Sequence, residues 1–137
     1  MPNTTDEQAI NEIVEIFFDL FTNTNNRKPN LQKIKEIFIP AGIIVNNTAD
    51  EPDIYDIENF IKPREKILTD GTLINFSEKE ISYQMEICGN IAHRKSIYVK
   101  SGIWNGEPYS GSGIKLMQFI KIKNTWLFAS VIWYDKK

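Results

Sequence analysis

The 137-residue chain contains a single cysteine and a single histidine, and it has no apolar run long enough to cross a bilayer as a helix. With Cys88 alone, no disulfide can close within the chain, which fits a reducing compartment and predicts a cytoplasmic location. A thiol becomes reactive in an activating cationic setting, and Cys88, on a strand, is read as a packing residue. The opening segment Met1-Pro2-Asn3-Thr4-Thr5-Asp6-Glu7 is polar and acidic, without the basic start and apolar stretch of a secretory signal. An excess of one charge sign is also missing. Sixteen Lys and Arg against 18 Asp and Glu leave a net charge of −2, so no broad basic field supports a nucleic-acid or membrane partner. One His, one Cys and no clustered carboxylates at ligand spacing argue against a metal site, and no cofactor is expected. Gly111-Ser112-Gly113 lacks the rest of a phosphate loop and reads as strand curvature or a bulge. Asn-x-Ser/Thr triplets at Asn3, Asn46 and Asn75 read as chance in an Asn-rich chain.

What is present fits one domain over residues 1–137, with no repeat or linker that would divide it. Thr4-Thr5-Asp6-Glu7 reads as a capping box, and Ile10, Ile13, Val14, Phe17, Phe18 and Phe21 recur at helical spacing behind it. Asn30 can cap a second helix carrying Leu31, Ile34, Ile37 and Phe38 until Pro40 stops it. Ile43-Ile44-Val45 makes a short strand. A third helical region is expected in two pieces, Ile54 to Ile61 and then a segment opened by Pro63 and closed by Gly71.

From Leu73 the apolar period changes to that of strands. A two-residue turn at Gly89-Asn90 sets Ile81, Tyr83, Met85 and Ile87 opposite Tyr98, Ser96, Arg94 and Ala92 on one face. The other face receives Glu86 beside His93, a surface pair. A turn at Lys123-Asn124 sets Gln118 opposite Ala129, Leu116 opposite Val131, Ile114 opposite Trp133 and Ser112 opposite Asp135 on an almost wholly apolar face. Lys115, Met117, Phe119, Trp126, Phe128 and Ile132 then fall on the reverse face, which is too apolar for water and suggests a second copy of the chain there.

Pro63-Arg64 and Ile67-Leu68 before Asp70-Gly71 begin a longer pattern, followed by Gly89-Asn90-Ile91-Ala92-x-Arg94-x-Ser96-x-Tyr98. Gly111-x-Gly113-x-Lys115-x-x-Gln118-Phe119, Trp126 and a final Trp133-x-Asp135 complete it. Over essentially its whole length the chain resembles the nuclear transport factor 2-like superfamily, and small bacterial members of unassigned activity most of all. The resemblance implies an α+β cone, or cystatin-like roll, with N-terminal helices packed in the concave face of a strongly curved antiparallel sheet. It further implies a pocket at the open end and a homodimer through the outer sheet face. The superfamily spans ketosteroid isomerases, scytalone dehydratase, limonene epoxide hydrolase, SnoaL-like cyclases and non-enzymatic binding proteins, so fold alone does not assign a reaction.

The main expectation is a small-molecule pocket with an apolar wall of Phe17, Phe21, Tyr83, Met85, Leu116, Val131 and Trp133, and polar contacts from Arg94, Ser96, Tyr98, Gln118 and Asp135. Arg94 could clamp a ligand carboxylate, or be neutralised within the fold by Asp135, Asp56 or Glu58. A proton-transfer enzyme is the alternative, an isomerase, dehydratase or cyclase with Asp135 as a base raised by apolar neighbours and Tyr98 or Arg94 stabilising negative charge. A non-catalytic homodimer is the third reading. Ser96 has no base beside it and is not expected to be a nucleophile.

Overall fold

The computed structural model describes residues 5–136. Thr5 caps helix α1 (Asp6–Asp19): its hydroxyl accepts from the Gln8 amide at 3.1 Å, and the Gln8 side chain accepts from the Thr5 amide at 2.9 Å. The capping box therefore uses Thr5 and Gln8, one residue later than expected, while Thr4 lies outside the described residues. Ile10, Val14, Phe17 and Phe18 form the buried stripe of α1.

Asn30 caps a 3-10 turn (Leu31–Lys33) that runs into the short helix α2 (Ile34–Ile37). The second helix ends earlier than its pattern suggested, because Phe38 is drawn into strand β1 (Phe38–Asn46). There its ring stacks on Phe128 at 4.7 Å, and tertiary packing overrides local helix preference. Ile54 belongs to strand β2 (Asp53–Tyr55) and not to a helix. Helix α3 (Ile57–Thr69) is continuous, with the Asp56 side chain accepting from the Asn59 amide at 2.8 Å. Pro63 lies inside α3, where it removes one backbone donor. Burial of Phe60, Ile61 and Leu68 on the other side holds the helix together.

Four long strands follow: β3 (Leu73–Cys88), β4 (Ile91–Trp104), β5 (Glu107–Ile122) and β6 (Thr125–Lys136). The sheet order is β2-β1-β6-β5-β4-β3. All neighbours are antiparallel except β1 and β6, which makes the six-stranded sheet mixed. α1 packs against β3 and β6, and the core gathers around Phe17, whose ring lies 5.2 to 6.0 Å from those of Phe18, Phe21, Phe38 and Phe128.

Two extra residues reset the expected registers. Cys88 to Tyr83 pair with Ile91 to Ser96 as the Gly89-Asn90 turn requires, but Ile81 is bulged out and 57% exposed, so Glu80 takes its place opposite Tyr98. In β6 the extra residue is Ala129: Phe119 pairs with Phe128, while Gln118 pairs with Ser130 and Leu116 with Ile132. The bulge lets Trp126 and Phe128 before it and Val131 and Trp133 after it all be buried. Lys115, Met117 and Phe119 are therefore inside, and the expected inward positions of Leu116 and Gln118 are corrected: both are exposed on the outer face.

Asn23 fastens the helices to the sheet. Its buried side chain donates to the carbonyls of Leu68 at 2.9 Å and Leu73 at 2.7 Å, and accepts from the Phe76 amide at 2.7 Å. Asn23→Ala leaves three buried backbone groups unpaired and is expected to cost about 2–4 kcal/mol, read from urea unfolding. A loss below about 0.5 kcal/mol would show that this clip does not hold the α3–β3 connection.

Candidate functional site

Direct cross-strand partners share a face, so the inner surface of the sheet is built in rows. One row runs Glu80, Tyr98, Gly113, Asp135; the next runs Tyr83, Ser96, Lys115, Trp133; a third runs Met85, Arg94, Met117, Val131. A cavity of about 420 Å³ opens between the first rows, α1 and α3. Phe17, Phe21, Phe60 and Trp133 supply apolar wall, and Arg64, Glu78, Lys100, Lys115 and Asp135 supply charge.

Gly113 makes the Asp135 arrangement possible. Tyr98 and Asp135 flank it on neighbouring strands, and a Cβ at position 113 would lie 2.6 Å from the Tyr98 hydroxyl and collide with the Tyr134 carbonyl oxygen. Across that gap the Tyr98 hydroxyl donates to Asp135 Oδ1, while Lys100 Nζ donates to Oδ2 at 2.9 Å and the Asp135 amide donates to Thr48 Oγ1 at 3.0 Å. Burial alone would raise the Asp135 carboxyl; the hydrogen bonds from Tyr98 and Lys100, with the charges of Lys100 and Lys115, outweigh it and hold the group below its ordinary value. This corrects the expectation of a carboxyl raised by apolar neighbours. Tyr98 is pushed upward, by burial first and then by its bond to Asp135, and stays a phenol. For Lys100, burial works downward but Tyr109 and Asp135 prevail, so the ammonium is held above its ordinary value.

Lys115 is 5% exposed and reaches Glu78 Oε1 at 2.7 Å, with its ammonium 4.2 Å from the Tyr98 ring centroid and 4.9 Å from that of Trp133. Burial lowers its pKa, partly opposed by Glu78. Beside it in register, Ser96 is fully buried with no partner for its hydroxyl among the described residues.

Arg94 is inside the molecule but outside this cavity. It lines a second cleft between α1 and β3 with Asn11, Glu80 and Tyr83. Its Nε and Nη2 meet the two oxygens of Glu80 at 3.1 and 2.5 Å, Nη1 donates to Asn11 Oδ1 at 2.6 Å and to Met85 Sδ at 3.6 Å, and its Cζ lies 3.6 Å from the Tyr83 ring centroid. Arg94 is thus neutralised within the fold by Glu80, which none of the sequence-level partners anticipated, because the Ile81 bulge turns Glu80 inward. It leaves no vacant fork for a ligand. Of the expected ligand contacts, Phe17, Phe21, Trp133 and Asp135 line the main cavity. Tyr83 and Arg94 line the second cleft, Met85 touches Arg94, and Val131, Ser96 and Tyr98 are packed in the core. Leu116 and Gln118 are on the opposite face of the sheet.

Arg64, Lys100, Lys115 and Glu78 are the charged cavity residues that the strand pattern did not single out. Arg64 lies on α3, its Cζ 4.0 Å from the Phe60 ring centroid, 4.9 Å from Tyr55 and 5.5 Å from Trp133. Nη1 donates to the Phe60 carbonyl at 3.4 Å, and burial lowers the Arg64 pKa, opposed in part by the Tyr55 side chain and by the charges of Glu78 and Asp53. His93 Nε2 lies 3.0 Å from Glu86 Oε1 on the exposed outer face, as the first hairpin predicts. Among the described residues no group of three His, Cys, Asp or Glu side chains is placed to hold a metal ion.

Helices held in the concave face of a six-stranded mixed sheet, with a cavity among the sheet's inner rows, define a cone-shaped α+β protein. Solved structures share this architecture. LinA superposes with a TM-score of 0.79 at 7% identity, covering 96% of this chain and 86% of that one. A scytalone dehydratase-like protein from Novosphingobium aromaticivorans gives 0.75 at 12% identity, over 96% and 85% of the two chains. A nuclear transport factor 2-like superfamily protein from Salmonella enterica gives 0.73 at 14% identity, over 96% and 91%. No protein-family model and no curated protein matches the chain. The chain has the nuclear transport factor 2-like fold.

A carboxyl held below its ordinary value stabilises the fold above that value, and the contribution is lost as pH falls through the folded-state pKa. Asp135→Asn should lower stability at neutral pH and flatten the loss seen in the wild type below its ordinary value of 3.8, measured by urea unfolding across pH. An acid limb of unchanged steepness would show that Asp135 is not held by Tyr98 and Lys100. Arg94→Met strands Glu80 and should cost about 3–5 kcal/mol.

Proposed function

We propose that the protein binds a small molecule in the cavity between α1, α3 and the inner face of the sheet. The observation that carries this reading is the cavity itself: about 420 Å³, within the range of ligand sites, with aromatic walls and a few convergent polar groups. The test is amide and indole chemical-shift mapping with small aromatic and aliphatic compounds. Shifts should gather at Phe17, Phe60 and the Trp133 indole, and disappear in Ile67→Trp, which fills the cavity from α3. Shifts elsewhere, or binding that survives the filled cavity in a folded variant, would refute the assignment.

A proton-transfer enzyme of the isomerase, dehydratase or cyclase type is a second reading, favoured by the Tyr98–Asp135 contact at the cavity wall. Its weak point is the base, since a carboxylate held low by two donors accepts a proton poorly. A cytoplasmic homodimer is consistent with the lone Cys88 and with the outer face, although Phe119, Trp126 and Phe128, which first motivated that interface, are buried inside. Ile132 stays on the outer face, in the cross-strand row Val45, Ile132, Leu116 beside Tyr134, Ile114, Ile97, with Leu116 52% exposed. Leu116→Glu should convert a dimer to a monomer by sedimentation; a monomeric wild type would remove this interface.

A further inference from the structure

Three cations and two carboxylates line the main cavity. Lys115 is paired with Glu78 at 2.7 Å and Lys100 with Asp135 at 2.9 Å. Arg64 is left over: among the described residues no carboxylate lies within 4.0 Å of it. We propose that the ligand of this cavity carries a carboxylate that pairs with the Arg64 guanidinium, and an apolar body that rests against Phe21, Phe60, Leu73 and Trp133. This rests on the reading of the cavity as a ligand site and gives that ligand its chemical class.

A guanidinium keeps its proton under all ordinary conditions, and one that is half-buried, as Arg64 is, gains from a carboxylate partner within the cavity. The rings of Phe60, Tyr55 and Trp133 offset part of the charge and hold the group in place, but they offer no carboxylate oxygens to its N–H groups. Among the described residues its N–H groups meet the Phe60 carbonyl at 3.4 Å and the Tyr55 side chain, with Glu78 and Asp53 acting on the charge from farther off, and none of these is a carboxylate in contact. Arg94 shows what compensation looks like in the same molecule: it too lies over an aromatic ring, yet Glu80 and Asn11 occupy its fork. The lining sums to one uncompensated positive charge, three cations less two anions, which matches a monoanion. A planar fork matches a carboxylate in two parallel bonds. Asn46 also lines the cavity; its Oδ1 accepts from the Thr48 amide at 3.1 Å, so its NH2 group is a further donor for the second carboxylate oxygen.

The probes are phenylacetate and its neutral analogue phenylacetamide, titrated by calorimetry and shift mapping into the wild type, Arg64→Met and Arg64→Lys. The wild type should prefer the acid by about tenfold or more. Arg64→Met should lose that preference while keeping the amide, and Arg64→Lys should keep part of it. Without probe, Arg64→Met should unfold no earlier than the wild type, because it removes a charge that no carboxylate among the described residues pairs within 4.0 Å. A drop in thermal midpoint as large as that of Arg94→Met would make Arg64 a structural partner and overturn the proposal. Equal affinity for acid and amide, both mapped to the cavity, would overturn the carboxylate assignment and leave the cavity reading standing. Preference for the acid that survives in Arg64→Met would overturn the role of Arg64. Absence of any shift in the cavity with either probe would overturn both readings.

Discussion

Charge carried into the cone must be met inside it, and this constraint shapes most of the inner sheet surface. A buried ion left alone costs several kcal/mol, far more than one surface contact returns. Arg94, at 3% exposure, is therefore matched by Glu80, and Lys115, at 5%, by Glu78. Both carboxylates come from β3, on either side of Lys79, and both point inward, as alternation demands. The Ile81 bulge then restores the alternation for Tyr83, Met85 and Ile87. Without that extra residue, an isoleucine would face Tyr98 and Arg94 would need another partner.

The same economy of space governs the open end. Tyr98 and Asp135 sit on strands that are not neighbours, and they meet because the residue between them has no side chain. Lys100 closes the group from the adjacent row. Asp135 thus gives its oxygens to Tyr98 and Lys100, and its backbone amide to Thr48. A carboxylate so occupied fixes the end of β6 against β4 and the loop after β1. Its position at the cavity wall follows from that fastening.

Much of the architecture could be read from residue pattern, and the misreadings have specific physical origins. The helix stripe of α1, the turn at Gly89-Asn90 and the pairing from Cys88 to Tyr83 all follow from period and turn chemistry. The Lys123-Asn124 hairpin alone predicts the wrong face for β5, because its partner strand carries a bulge at Ala129. A better signal was available in Asn105-Gly106, a dipeptide suited to positive φ at both positions, with values of 48° and 83°. That turn sets Trp104 opposite Glu107 and, counting back, Ser96 opposite Lys115. This register puts Lys115 inside. Neither bulge announces itself in sequence, since an added residue costs little where a strand end or a curved sheet accepts it. Arg64 stands in the pattern shared with the superfamily, but helical period alone does not say what lies across α3 from it.

Two guanidiniums over aromatic rings thus have opposite positions in the energetics of the molecule. Arg94 belongs to the fold, because Glu80 and Asn11 satisfy it and removing it would strand a buried carboxylate. Arg64 is half-buried and meets rings, a carbonyl and the Tyr55 side chain, but no carboxylate within the described residues. A guanidinium held by rings and a carbonyl but by no carboxylate is understandable if an external group completes it. Under the proposed ligand reading, recognition would fall to Arg64 on α3, whose guanidinium meets no carboxylate among the described residues, whereas the oxygens of Asp135 are taken up by Tyr98 and Lys100.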